Sequence, residues 1–260
     1  PAVDIHTGDH HDYADARVVV VTAGASQKPG ESRLALLQRN VRIIESIVDE
    51  MVAQDSSAIV LIVSNPVDIL THAAYHRSGW PRGRVIGSGT VLDSARFRYL
   101  LSEHCNVDVH NVHAYILGEH GDSEFAAWSM THVAGVGMDR FCVLCGRCSN
   151  WLAERARIEQ AVRDSAYHII GYKGATYYAV GLALTRIVAA ILRNEHSVLT
   201  VSLPLEGEYG LHDVSLSVPC VVSQNGIDRV MLATLTSEEQ DALERSAGVL
   251  RGVIAQLGAT

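Results

Sequence analysis

The sequence predicts an α/β protein, a doubly wound parallel sheet followed by a second, α+β domain. Three observations lead to this fold. Short runs with an unbroken apolar centre, at residues 17–22 and 58–63, alternate with stretches of helical periodicity. Each run closes on chain-turning residues, Ala23-Gly24 after the first and Ser64-Asn65-Pro66 after the second. From about Gly89 the pattern changes to long helical stretches and alternating runs. A run without polar alternation is a strand covered on both faces, as in a parallel sheet layered between helices.

Residues 17–22 read R-V-V-V-V-T and form the first of these strands. A loop rich in Gly, Pro and charge, 26–33, leads to Val41, Ile44, Ile47, Val48 and Met51 at helical spacing. Residues 58–63 give a second buried strand, followed by a helix and a short strand at 84–87. Strand, helix, strand, helix, strand defines the doubly wound sheet. Beyond it the pattern predicts a helix over 91–104, a strand over 112–117, and helices over 153–172 and 177–194. Runs at 198–203 and 214–222 alternate, which predicts antiparallel strands with one face exposed. Gln224-Asn225-Gly226 signals a hairpin. Thr236, with Glu239 three residues on, opens a last helix that runs to residue 256. The junction near residues 87–89 divides the chain into domains at 1–88 and 89–260.

The 260 residues are 48% hydrophobic and 19% charged, with a net charge of −8. That composition belongs to a globular protein with a sizeable core. No basic block suggests nucleic acid, and the apolar runs are far too short to span a membrane. The chain opens without a charged-then-apolar leader and its five cysteines are sparse and odd in number. A reducing, cytoplasmic location is expected.

Ligands of open parallel sheets sit beyond the carboxyl ends of the strands. Three segments lie there: Thr22-Ala23-Gly24-Ala25, Ser64-Asn65-Pro66 and Gly118-Glu119-His120-Gly121-Asp122-Ser123. His120 is either held at a cleft or a solvated loop residue. Asp93 and Arg96 share one helix face, a spacing that a local ion pair explains by itself. Arg98 lies roughly 200° around the helix from Arg96 and faces away from it. The loop 27–33 ends in Arg33 at the mouth of a helix, or is an ordinary surface connection.

Five ordered segments, TAGASQKPGESR (22–33), SNPVD (64–68), GSGTVLDSARFR (87–98), NVHAYILGEHGDS (111–123) and KGATYYAVG (173–181), resemble the lactate/malate dehydrogenase family. The likeness runs from about Val3 to Leu257 and implies a Rossmann-like first domain, a substrate domain and NAD as cofactor. By this resemblance His120 is the proton donor to a 2-keto acid and Asp93 orients its ring. Arg96 grips the substrate carboxylate and Arg33, on a closing loop, polarises the carbonyl. Asn65 and Thr176 contact the nicotinamide side and the substrate wall, and Thr22, Ala23 and Gly24 line the cofactor. Gln27 stands where malate-specific members carry an arginine, so the implied substrate pair is pyruvate and lactate. Arg98 and His113 match positions that bind fructose 1,6-bisphosphate between subunits in many bacterial members. A homo-oligomer, a tetramer, is implied with them.

The sequence departs from the family in two places. The family opens with a strand, a G-x-G-x-x-G turn, a helix and a second strand bearing an acid for the adenosine ribose. The likeness here begins at about the third strand, residues 3–5, and pyrophosphate binding falls on no residue present. Without two central strands, residues 18–22 lack a neighbour on one side and the Val3 strand is cut off. The chain is therefore expected to be a piece of a longer protein. The second departure is Cys142, Cys145 and Cys148 at three-residue spacing, a pattern that can mark a metal. Cys105 and Cys220 belong to distant elements and no histidine sits at ligand spacing. A surface segment with free thiols and no metal is the expectation. Two other readings stay open: a dehydrogenase for a bulkier 2-hydroxy acid, and a catalytically silent binding or oligomerisation fragment.

Overall fold

The computed structural model describes residues 3–147, 149–173 and 177–258. Parallel strands β1 (Val18–Val21), β2 (Ile59–Ile62) and β3 (Val85–Gly87) alternate with helices α1 (Arg33–Ala53) and α2 (Val67–Ser78). This is the doubly wound unit the sequence predicts. Helix α3 (Val91–Cys105) leads to five two-residue strands. These are β4 (Val112–His113), β5 (Ile116–Leu117), β6 (Phe125–Ala126), β7 (His132–Val133) and β8 (Val136–Gly137). Helices α4 (Met138–Cys145), α5 (Trp151–Lys173) and α6 (Tyr178–Leu192) precede β9 (Ser197–Glu206), β10 (His212–Ser223) and β11 (Gly226–Val230). Helix α7 (Ser237–Gly258) follows.

The main sheet has the order β1-β2-β3-β9-β10-β11. The last three strands continue the parallel sheet, with Gly87 opposite Ser202, instead of standing apart from it. They also correct the expectation of one exposed face, because β9 and β10 are buried along nearly their whole length. The polar half of their alternation is small and, Ser202 excepted, finds partners inside. Ser94 and Thr200 share a hydrogen bond of 2.9 Å, and the Thr90 amide donates to Ser217 Oγ at 3.2 Å. Small hydroxyls that find partners can pack beneath a helix as well as apolar residues do.

Three further expectations change. The strand over 112–117 is broken, with β4 pairing β7 and β5 pairing β6. Its backbone is claimed by α3 instead: Ile116 N–H donates to Ser94 Oγ at 2.9 Å and Thr90 Oγ1 donates to Ile116 O at 2.5 Å. Strand β1 is not buried on both faces, since Val20 is 39% exposed. It stands at the end of the sheet order among the described residues. Residues 3–5 form no strand, and Val3 and Ile5 are exposed with no strand beside them to pair with.

Two turn signals are fulfilled. Gly226 closes the β10–β11 hairpin at φ 92°, and a Cβ there would stand 2.0 Å from the Gly83 carbonyl oxygen. Thr236 N–H donates to Glu239 Oε2 at 3.0 Å while Glu239 N–H donates to Thr236 Oγ1 at 3.3 Å, a reciprocal cap on α7. One apolar cluster runs through the main sheet to Leu243 and Leu250 of α7; a second joins Phe97, Leu101, Met138 and Ile158 beneath α3, α4 and α5. Among the described residues no helix is long and apolar enough to cross a membrane.

Candidate active site

The site forms where β2, β3 and β5 end. The chain after β5 is bound to β10 by Gly118 N–H to Ser217 O (3.0 Å) and Ser217 N–H to Gly118 O (2.9 Å). Glu119 N–H then donates to Ser246 Oγ on α7 at 2.7 Å. His120 N–H donates to Asp68 Oδ2 at 2.8 Å, a buried carboxylate in the first turn of α2. Three elements thus fix the backbone that carries His120.

The ring is fixed by a fourth. His120 Nδ1 lies 2.7 Å from Asp93 Oδ2, and Arg96 Nη1 lies 3.0 Å from Asp93 Oδ1. Asp93 is 2% exposed, whereas the His120 side chain is 27% exposed. An ionised Asp93 accepts on both oxygens, so Nδ1 carries the proton and Nε2 is left free of this bond. Burial works against charge on His120. The hydrogen bond and charge of Asp93 outweigh it, with help from Glu124 and Asp68, and raise the imidazole to about 9. Burial likewise opposes ionisation of Asp93, but its bond to His120 and the charges of His120 and Arg96 hold it below the usual carboxylate range.

His120 and Arg96 line one cavity of about 130 Å³ together with Asn65, Ser88, Gly89 and Leu184. The i, i+3 ion pair and the shared site are both present, since Arg96 bonds Asp93 and lines the cavity. Thr22, Ala23 and Gly24 are exposed at the carboxyl end of β1, and Ser64 Oγ donates to Ala23 O at 2.6 Å, joining the ends of β1 and β2. Gln27 and Arg33 are not brought to the cavity. Gln27 is exposed and donates to Glu31 O at 2.8 Å, and Arg33 is the exposed first residue of α1. Thr176 lies outside the described residues.

Arg98 faces away from Arg96, as its spacing predicts. It lines a second cavity of about 600 Å³ with His113, His110, Tyr115 and Arg186. Burial lowers its pKa, Tyr115 opposes that and Arg186 adds to it.

Two further acids stand beside His120: Asp68, the last residue of the segment 64–68, and Glu124, just past the segment 111–123. Asp68 is pushed up to about 6 by burial, which outweighs the opposing influence of Ser202 and the His120 amide. Ser202 favours its ionised form, yet neither Asp68 Oδ1 nor Ser202 Oγ has a partner of full hydrogen-bond geometry. Glu124 is 6% exposed; burial first, then the charge of Asp93, raise its pKa against His120, Arg96 and Arg163. An acid directly before the apolar run 125–128 is the one signal that points to Glu124.

The expected surface segment of cysteines is only partly one. Val143 and Leu144 are exposed, but Cys142 is buried, its Sγ 3.8 Å from His104 Nε2, while His104 Nδ1 lies 3.2 Å from Glu154. Helix α4 turns this residue inward against α3 and α5. Cys148 and the side chain of Cys145 lie outside the described residues.

A doubly wound sheet with an aspartate–histidine pair and an arginine at its carboxyl edge is a site built to move a proton beside a bound anion, and the family matches make it that of an NAD-binding oxidoreductase. The lactate/malate dehydrogenase NAD binding domain matches residues 2–87, and the lactate/malate dehydrogenase alpha/beta C-terminal domain matches residues 90–260. The chain is 60% identical over 258 residues to an L-lactate dehydrogenase of Treponema denticola, covering 99% of this chain and 82% of that one. An L-lactate dehydrogenase of Thermoanaerobacterium saccharolyticum is 54% identical over 255 residues, covering 98% and 82%. The crystal structure of a lactate dehydrogenase from a Medee basin deep-sea metagenome library superposes with a TM-score of 0.93 at 42% identity, covering 96% of this chain and 80% of that one. The minor L-lactate dehydrogenase of Enterococcus mundtii in its ligands-bound form gives 0.91 at 42% identity, covering 95% and 78%. This chain belongs to the lactate/malate dehydrogenase family.

Proposed function

We propose that this chain is an NAD-dependent L-lactate dehydrogenase in which His120 delivers a proton to the carbonyl oxygen of pyruvate. The single observation that carries this reading is the Asp93–His120 hydrogen bond at the cavity edge. With its pKa raised to about 9, His120 is an imidazolium at neutral pH, a donor for reduction and, once neutral, an acceptor for lactate oxidation. Asp93 fixes the tautomer and stabilises the charged ring. Arg96 spends one Nη1 contact on Asp93. Its remaining donors offer a carboxylate the planar two-pronged fork that lysine lacks.

Arg33 is assigned to the carbonyl oxygen and acts after the loop 26–32 closes over the cavity and excludes water. Gln27, on that loop, leaves the second carboxylate of oxaloacetate unpaired, so pyruvate is the favoured substrate. Asn65 and Thr176 are assigned to the nicotinamide side and the substrate wall. NAD fits the residues present, because the exposed backbone of Thr22, Ala23 and Gly24 and the side chain of Asn65 stand open at the carboxyl ends of β1 and β2. When bound, it supplies the hydride. The division into a dinucleotide-binding part, 1–88, and a substrate part, 89–260, belongs to this reading, as does a cytoplasmic location. Initial rates with NADH and a panel of 2-keto acids test it. Pyruvate is expected to give the highest kcat/KM, and a preference for oxaloacetate or a bulkier acid would contradict it.

Arg98 and His113 are assigned to fructose 1,6-bisphosphate held between subunits of a homotetramer. The cavity that Arg98, His113 and Arg186 share supports this. Cationic groups gathered at an interface repel until a phosphate neutralises them, which links ligand to assembly. Added bisphosphate that changed neither the KM for pyruvate nor the oligomeric state would remove this assignment.

A further inference from the structure

We propose that Glu124 is a positioning residue of this site, a buried acid that stays neutral while a carboxylate substrate binds and that governs the charge of the site through His120 and Arg96. The inference rests on the dehydrogenase reading above. One carboxylate oxygen of Glu124, one of Asp93 and a ring nitrogen of His120 lie within 4.8 Å of one another. Both acids are buried. Among the described residues no hydrogen bond or ion pair engages the Glu124 carboxyl. The charged groups that face this cluster come from four elements. Helix α3 supplies Asp93 and Arg96, α2 supplies Asp68, the loop after β5 carries His120, and α5 supplies Arg163. Arg163 is already engaged by Glu159 at 3.1 Å.

Two buried carboxylates this close to each other repel strongly if both ionise. Asp93 holds the negative charge, because His120 and Arg96 each bond one of its oxygens. Glu124, with no such bond, is the one that keeps its proton, in accord with its raised pKa. The charge count then decides what substrate meets. With Glu124 neutral, the carboxylates of Asp93 and Asp68 balance an imidazolium and a guanidinium, and no net negative charge opposes the carboxylate of pyruvate. With Glu124 ionised the cluster carries a net negative charge that repels the substrate, and a further anion beside His120 tightens the hold on its proton. The two groups titrate as a linked pair, in two macroscopic steps.

The test follows kcat and KM for pyruvate from neutral to alkaline pH in the native enzyme, Glu124→Gln and Glu124→Asp. In the native enzyme KM is expected to rise in a step that precedes the fall in kcat. Glu124→Gln removes the earlier step and Glu124→Asp, which keeps the acid, retains it. The titration of His120 is read independently of turnover, from the pH dependence of its carbethoxylation by diethyl pyrocarbonate, located by peptide mass. Loss of the neighbouring anion in Glu124→Gln lowers that midpoint by about one unit, the low end for an opposite charge at this range. Superimposable KM profiles with an unmoved midpoint would overturn the proposal. A native enzyme that leaves pyruvate untouched would defeat the dehydrogenase reading alone; the His120 midpoint still decides the role of Glu124.

Discussion

Nδ1 of His120 lies 2.7 Å from Oδ2 of Asp93, and the second oxygen of the same carboxylate holds Arg96 at 3.0 Å. One buried acid therefore orients both the proton-transfer group and the substrate-binding group proposed here. Asp93→Asn keeps the shape but removes the charge, and permits the amide to present its NH₂ to His120. We expect kcat for pyruvate to fall on the order of 100-fold or more, the usual contribution of a well-placed acid–base group. The His120 midpoint falls with it. Unchanged turnover in a folded Asp93→Asn protein would dissociate this pair from catalysis.

The pH dependence has a definite sign. His120, raised to about 9, is protonated at neutral pH. Pyruvate reduction needs the imidazolium and declines as pH passes about 9, whereas lactate oxidation needs the neutral ring and rises over the same range. Folding stability follows the same group. A histidine whose pKa is raised above 6.5 in the folded state contributes stability that is complete below that value and lost as pH climbs through about 9. Asp68 is ionised in both folded and unfolded states over the upper part of that window and adds no slope there, while Glu124, raised to about 8, adds a loss of its own up to that pH. Urea midpoints measured from neutral to alkaline pH should fall in the native protein and less so in His120→Ala.

Most of this arrangement is legible in the amino-acid sequence. Periodicity locates the doubly wound unit, and the glycine-flanked His120 marks the loop that meets the cavity. The spacing of Asp93, Arg96 and Arg98 separates one face of α3 from the other. Long-range partners are not legible. Nothing local tells Ile116 to give its amide to Ser94 and so break a strand, or tells Thr200 and Ser217 that their alternation faces a helix and not solvent. The roles of Asp68 and Glu124 stay hidden for the same reason. A lone acid at a helix start or before a strand acquires meaning only when the fold sets His120 against it.

Substrate choice should respond to Gln27. An arginine there supplies the partner that a second substrate carboxylate lacks in a closed site. Gln27→Arg is expected to raise kcat/KM for oxaloacetate relative to pyruvate by about 100-fold or more, because an unpaired buried charge costs several kcal/mol. A ratio that does not move would mean that the loop 26–32 never covers the substrate.

The junction of the sheet and α3 depends on Gly89, which sits at φ 52°. An added Cβ there would lie 2.5 Å from Ser217 Oγ, 2.7 Å from Ser202 N and 2.8 Å from Thr200 O. Two of these are backbone atoms of a central strand, which cannot yield cheaply. Gly89→Ala should cost about 2 kcal/mol or more in denaturant unfolding and should also disturb the cavity that Gly89 lines. A variant as stable as the native protein would show that β9 can shift to admit the methyl group.

The central claim is that His120 carries the proton in pyruvate reduction, and single-turnover NADH oxidation with pyruvate in native protein and His120→Ala tests it most directly. We expect rapid oxidation in the native protein and a loss of about 100-fold or more in the rate of the chemical step in the variant, with its fold retained. Oxidation at the native rate in His120→Ala would contradict the account.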